Sequence, residues 1–445
     1  MAQYGAHCSG SNVHDILSGV GDIFWESVEQ ILRCPLLEET KKMNKQEFYA
    51  NARSDLKGPL DGVVVVEATT TWAGPMAACV LADFGATVIK VEHPDGEVAR
   101  RLPPFLPDSK LTIFNETVNR NKQSLSLDLR NDQGREVFLK LCATADIVIE
   151  NFRPGTMAKW GVGYANVATR KPDIVYISIS GFGQFGELSD RVGYDPLAQN
   201  YCGWTSLNGE PDGAGVKAPT FLGDDLGGLN GALSAMAALR HRDQTGEGQH
   251  VDVALVDGLI FQSNGNLTAG ALDVPIPRMG NQFAIAAPVN RFACTDGHVY
   301  AGVLLDSHWK SLSQLLERPD LSDLTGADRI KQRDLVNSLV ADWCATRTTA
   351  EVVDAFAELS LPATRVNTFA ECAKLDHIAS RDMLQRTKLV DGTTVPLTGP
   401  AAKFSRTPTR IREGAPALGA HNEAILRALG YDDDAQQRLE RDGII

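Results

Sequence analysis

The chain has 445 residues, of which 43% are hydrophobic and 22% charged, and its formal net charge is −13 at pH 7. That size and balance fit a soluble globular protein with two or more domains and a substantial core. The acidic surplus argues against nucleic acid as the main partner, because phosphate binding needs a basic surface, but it leaves room for a local basic pocket around one phosphorylated ligand.

In chain order, residues 1–58 read as an N-terminal helical extension. Val13, Ile16, Leu17, Val20, Ile23, Phe24, Val28, Ile31 and Leu32 recur at helical spacing, Gly19 and Gly21 interrupt the pattern, and Pro35 ends it. Such a helix packs on its own domain or serves as a subunit-contact arm. No basic start precedes an apolar stretch, so no signal peptide is expected. No apolar run approaches the ~20 residues of a membrane span.

Strand–helix alternation begins at Gly62. Val63–Val66 is a β-branched run that reads as a buried strand. The turn T-T-T-W-A-G-P follows, with Pro75 suited to a first helical turn. A helix over Met76–Phe84 stops at Gly85, and Thr87–Val91 is the next strand, which completes a βαβ unit. The helix Gln133–Ala145 leads into the strand Asp146–Ile149, and a third strand is Ile174–Ile179. This pattern predicts a parallel sheet with helices on both faces.

The segment Ala218–Gly231, A-P-T-F-L-G-D-D-L-G-G-L-N-G, sets Asp224 and Asp225 between glycines. Gly223 suggests a tight turn, with a carboxylate facing a cleft as nucleophile or merely lying on a surface turn. A helix is expected over Leu229–Arg240, then a strand or helix start at Val251–Leu255. Near 285–370 a smaller α+β unit is expected. It has a hairpin from Phe292–Thr295 through Asp296 and Gly297 to Val299–Val303, then helices at Trp309–Leu316, Asp334–Cys344 and Ala350–Leu359. The end of the chain reads as a loop and one or two short helices. Neither a G-x-G-x-x-G fingerprint nor a Walker loop is present. The eight cysteines are scattered without zinc spacing, which fits free thiols in a reducing cytoplasm.

The run D-G-V-V-V-V-E-A, then W-A-G-P-M-A-A-C-V-L-A-D-F-G-A-T-V-I-K-V-E, resembles the opening of the family III CoA-transferases. That superfamily includes formyl-CoA transferase, crotonobetaine CoA-transferase and α-methylacyl-CoA racemase. The resemblance continues through N-K-Q-S-L-S-L-D-L, I-E-N-F-R-P-G, G-Y-D, L-N-G-E-P-D-G, G-D-D-L-G-G, T-G-E-G-Q-H-V-D-V-A and R-M-G-N to K-F-S-R-T-P and A-P-A-L-G-A-H-N-E. It spans roughly Leu60 to Ile445.

The resemblance implies an α/β fold, a Rossmann-like doubly wound parallel sheet with a smaller α+β domain, in an interlocked dimer crossed by Leu255–Gly280. The expected domains are 1–58, the extension; 59–255, the large CoA-binding domain; 256–284, a linker; 285–370, the small domain; and 371–445, returning to the large domain. The resemblance implies transfer of CoA from an acyl-CoA donor to a carboxylic acid through an aspartyl thioester at Asp224. Backbone N–H groups of Gly223–Gly228 would stabilise the oxyanions. Asp195, in G-Y-D-P, matches an acidic position near the family's active site, or is a helix N-cap or turn aspartate. Tyr194 stands where the racemases carry histidine, which favours transferase over racemase.

By the same resemblance the CoA-binding positions are Thr71, Trp72, His93, Leu127, Arg130, Asn151, Phe152, Thr156 and Lys159. His93, Arg130 and Lys159 face phosphates or are solvated charges, and Phe152 contacts adenine. Trp72 replaces a glutamine of formyl-CoA transferase, which suggests a bulkier or aromatic acyl group unless the ring only packs. The expected ligands are CoA thioesters as substrates, with no metal and no tightly bound cofactor. Succinyl-CoA is the expected donor, and a dicarboxylic or aromatic acid of the benzylsuccinate kind the expected acceptor. The expected partner is an identical chain or a paralogous subunit. A racemase or isomerase of the same fold, and a non-catalytic subunit of a heteromeric enzyme, are the alternatives.

Overall fold

The structure is a computed structural model that describes residues 43–445. The helical pattern over Val13–Leu32 lies outside the described residues. The described chain forms two compact units: a larger one of 43–208, 214–277 and 373–445, and a smaller one of 209–213 and 278–372.

The larger unit is built on six parallel strands: β1 (Val64–Ala68), β2 (Thr87–Glu92), β3 (Lys122–Ser126), β4 (Ile147–Glu150), β5 (Val175–Ser180) and β6 (Gln249–Ala254). Their order is β3-β2-β1-β4-β5-β6, the doubly wound arrangement expected from the alternation. Side chains of a strand point to opposite faces in turn, and here both faces are covered. Val65, Ile149 and Ile177 pack on one side with Ala77, Leu81, Ala235 and Leu259. Val66, Val148 and Tyr176 pack on the other with Phe138, Leu141, Val167 and Leu426. Burial on both faces is why β1, β4 and β5 read as near-continuous apolar runs.

The helix expected over Leu229–Arg240 is longer, Leu222–Thr245. Gly223, Gly227 and Gly228 read as turn signals because glycine costs about 1 kcal/mol inside a helix. Here they lie within it and serve close packing. A Cβ at Gly228 would lie 2.9 Å from the Ala73 carbonyl oxygen, and one at Gly231 would lie 2.8 Å from Ile179. The glycine face lets this helix settle onto the Ala73–Asp83 helix and β5. After β6 the chain enters the helix Leu255–Phe261. A hairpin absent from the sequence reading, β10 (Leu384–Lys388) with β11 (Thr394–Thr398), belongs to this unit as well.

The smaller unit has an antiparallel sheet of β7 (Val289–Cys294), β8 (Gly297–Gly302) and β9 (Ala363–Arg365). The β7–β8 hairpin forms as expected, but its turn residues are Thr295 and Asp296, and Gly297, paired with Cys294, opens β8. Helices Asp306–Leu315, Arg333–Ala345 and Thr349–Glu358 accompany it. Trp309, Val336, Val340, Val352 and Phe356 pack with Phe292 and Val299.

Candidate active site at the carboxyl end of the central sheet

In an open parallel sheet, the loops after two neighbouring strands diverge where the strand order reverses, and a crevice opens between them. Here the reversal falls between β1 and β4. A cleft of about 270 Å³ lies there, walled by Thr70–Ala73 after β1, Asn151–Pro154 after β4, Ile179–Gly181 at the end of β5, and Asp224.

The two loops are tied across the crevice by one side chain. Asn151 Oδ1 accepts the Thr70 N–H at 2.9 Å, and Asn151 Nδ2 donates to the Thr70 carbonyl at 2.8 Å. Gly74 makes room for this clamp, since a Cβ there would lie 2.9 Å from Asn151 Cγ. Thr71 adopts φ +71°, rare for a residue with a side chain. Its N–H donates to Glu97 Oε2 at 2.7 Å. Glu97 also pairs with Lys90 at 2.9 Å, and buried Lys90 and Lys122 lie 3.1 and 2.6 Å from the Glu67 carboxylate. Burial opposes the Lys90 charge, but Glu67, Glu97 and Glu92 outweigh it and hold its pKa above the ordinary lysine value. The strained turn thus rests on a compensated buried ion network.

Asp224 sits in the first turn of the Leu222–Thr245 helix. Burial, with Asp195 and Asp225 nearby, raises its pKa to about 7. The helix N-terminus favours the carboxylate, but desolvation and two like charges outweigh it. Asp225 is also raised by burial, against a hydrogen bond from Trp72. That bond runs from Trp72 Nε1 to Asp225 Oδ1 at 2.6 Å. The Trp72 ring meets Phe114 and Phe221 edge-on, with centroids at 5.5 and 5.2 Å.

Asp195 is buried, and its side chain accepts from Gly223 N–H at 2.7 Å and from Gln199 Nε2 at 2.9 Å. It does not cap its own helix, where Tyr194 is the N-cap. Gly223 therefore serves close approach and not a tight turn: a Cβ there would lie 3.1 Å from Leu259 and 3.2 Å from the Asp195 carboxylate. The oxyanion donors expected along Gly223–Gly228 are partly committed. Gly223 N–H belongs to Asp195, and Asp225 N–H donates to the Phe221 carbonyl at 2.8 Å.

Of the residues singled out from the sequence, Thr71, Trp72, Asn151, Phe152, Tyr194 and Asp224 line the one cleft. The others lie outside its wall. His93 follows β2 and touches Arg130, while Arg130 Nε also donates to Asp128 at 2.8 Å. Leu127 follows β3 with its side chain in the core. Thr156 and Lys159 bound the short helix after β4. All follow strand ends on the same edge of the parallel sheet. Phe152 packs edge-on against Trp160, with centroids at 5.1 Å.

Three residues escaped the sequence reading. Glu97 holds Thr71, and Arg191 lines the cleft. Glu150, raised to about 7 by burial against hydrogen bonds from Ser178 and the Phe152 N–H, supports the cleft's other wall. The I-E-N-F motif marked Glu150, but no local pattern marks the other two.

The sequence matches the family model described as CoA-transferase family III over residues 60–422. The chain belongs to CoA-transferase family III. It is 35% identical to a succinyl-CoA:mesaconate CoA-transferase of Haloarcula hispanica, an alignment that covers 86% of this chain and all of the relative. It is 34% identical to the beta subunit of a succinyl-CoA–L-malate CoA-transferase of Chloroflexus aurantiacus, covering 87% of this chain and 98% of that one. Among solved structures, a CAIB/BAIF family protein from Brucella suis superposes with a TM-score of 0.76 at 31% identity, covering 84% of this chain and all of that one. This family III CoA-transferase therefore holds a half-buried carboxyl group, Asp224, at the sheet's switch point, in a wall fixed from both sides.

Proposed function

We propose that Asp224 is the nucleophile of a CoA transfer from succinyl-CoA to an aliphatic dicarboxylic acid. Its carboxylate attacks the thioester carbonyl; the C–S bond breaks, leaving a mixed anhydride and CoA thiolate. The thiolate attacks the aspartyl carbonyl, which releases succinate and leaves an aspartyl-CoA thioester. The acceptor carboxylate attacks that thioester and expels the thiolate, forming a second anhydride. The thiolate then attacks the acceptor carbonyl, giving the new acyl-CoA and free Asp224. Each step exchanges one activated acyl bond for another, so water must be kept out.

The observation that carries this reading is the Asp224 carboxyl in the cleft between the β1 and β4 loops. The substrate choice draws on relatives whose names specify succinyl-CoA with mesaconate or L-malate. The Trp72 indole is engaged by Asp225, Phe114 and Phe221, which supports a packing role for it and an aliphatic acceptor. The CoA moiety would extend along the carboxyl edge past Phe152 toward Thr156 and Lys159, and past Leu127 toward His93 and Arg130.

The working unit is a dimer, with a second copy or a paralogous chain. The malate relative is itself one subunit of a pair. Phe261, Leu267 and Leu272 lie in the expected crossing segment, with 79%, 59% and 69% of their surface exposed.

The test is steady-state kinetics with succinyl-CoA and free dicarboxylic acids. Parallel double-reciprocal lines are expected, with activity lost in Asp224→Ala. Racemisation of a chiral acyl-CoA without any need for a free acid acceptor would count against the reading.

A further inference from the structure

The neighbourhood of Asp224 is crowded with carboxyl groups, Asp195 and Asp225 among them. A substrate that brings one more carboxylate needs a cation to receive it. The cleft wall offers two, Arg153 and Arg191. Arg153 follows Phe152 on the side assigned to CoA, and its guanidinium donates to the Asp190 carbonyl. Among the described residues, the Arg191 guanidinium has no hydrogen bond or ion pair.

Arg191 hangs from a segment held at both ends of the reaction centre. Two residues on, Gly193 packs so tightly on the end of β5 that a Cβ there would lie 2.6 Å from Gly181 Cα. Four residues on, Asp195 binds the N–H of Gly223, next to Asp224. The backbone N–H of Arg191 itself donates to Leu188 at 2.9 Å. Tyr194 and Val192, from the same run, line the same cleft.

We propose that Arg191 is the specificity-determining residue of the acyl site, binding the distal carboxylate of a dicarboxylic acyl group while the proximal carboxyl reacts at Asp224. This rests on the reading of Asp224 as nucleophile. A guanidinium fits a carboxylate through two parallel hydrogen bonds, strong in charge and fixed in direction. In an exchange reaction the donor acyl group and the acceptor acid occupy the same site in turn. One arginine therefore serves both, and both must carry a second carboxylate.

The test compares wild type with Arg191→Met and Arg191→Lys. Three quantities are measured: kcat/KM for succinyl-CoA, labelling of Asp224 by succinyl-CoA and by butyryl-CoA, and the inhibition constant of free CoA. Arg191→Met is expected to lower the succinyl-to-butyryl selectivity about 100-fold, with Arg191→Lys between it and wild type. The inhibition constant of free CoA is expected to stay within about two-fold. Equal losses with both donors, or a parallel weakening of free CoA, would place Arg191 on the CoA moiety and overturn the proposal; unchanged selectivity would overturn it too. Failure of the wild type to label Asp224 with any donor would instead remove the nucleophile reading, and this proposal with it.

Discussion

Asp195 accepts the backbone N–H of Gly223 at 2.7 Å, and the next residue is Asp224. One buried carboxylate thus fixes the start of the helix that carries the reacting carboxyl, and its charge also raises the Asp224 pKa. One neighbour thus fixes the position of Asp224 and adds to the effect of burial on its proton affinity. In Asp195→Asn an amide oxygen still accepts the N–H, but the like charge is gone. The acidic limb of kcat/KM against pH is expected to move down by about half to one pH unit. Asp195→Ala leaves Gly223 without its partner and is expected to cost about 1–3 kcal/mol in stability, measured by denaturant unfolding.

Asp224 itself should show a conflict between stability and function. Its pKa in the folded chain is about 7 against an ordinary 3.8. The folded state therefore binds the proton more tightly than the unfolded chain. The contribution to stability is fully present below about pH 4 and is lost as pH rises through 7. The nucleophilic carboxylate forms over the same window, so activity rises as stability falls. Asp224→Asn is expected to be inactive yet more stable than wild type at pH 8, by an amount of order 2–4 kcal/mol, with the difference vanishing near pH 4. Thermal unfolding at the two pH values checks this.

The Glu97 carboxylate joins the Thr71 N–H to the Lys90 ammonium. Glu97→Ala removes the support of a residue at φ +71° and leaves Lys90 with fewer counter-charges. A stability loss of about 3 kcal/mol is expected, with a fall in kcat/KM. Glu97→Gln, which keeps an acceptor for Thr71, should retain more activity than Glu97→Ala in the same assay.

Close packing of the Leu222–Thr245 helix gives a further expectation. Gly228→Ala puts a Cβ 2.9 Å from a backbone carbonyl oxygen, which flexible side chains cannot relieve. A loss of about 1–3 kcal/mol is expected, measured by denaturant unfolding, although alanine has the better helix propensity.

Strands β1, β2, β4 and β5 were legible because each carries a short apolar run rich in β-branched residues, as at Val63–Val66 and Ile174–Ile179; β3, Lys122–Ser126, has no such run and is absent from the sequence reading, in which Val251–Leu255 of β6 is a strand or a helix start. The start of the helix at Leu222 was not, because the glycines that permit its packing are also the residues that mark turns. Thr71, Asn151 and Asp224 were named through family motifs, and the fold brings them into one cleft. What local pattern cannot carry is the long-range part. Glu97 reaches back to Thr71 across β2, and Arg191 is indistinguishable in sequence from any loop arginine. His93, Arg130 and Lys159 were named as cations for CoA, yet they stand apart from the cleft wall at neighbouring strand ends.

The most direct test of the account is peptide mass spectrometry of the purified chain after incubation with succinyl-CoA, with and without hydroxylamine. The expected result is a CoA thioester on the peptide holding Asp224, converted to a hydroxamate by hydroxylamine and absent in Asp224→Asn. Steady CoA transfer with no adduct on that peptide, or undiminished transfer by Asp224→Asn, would contradict it.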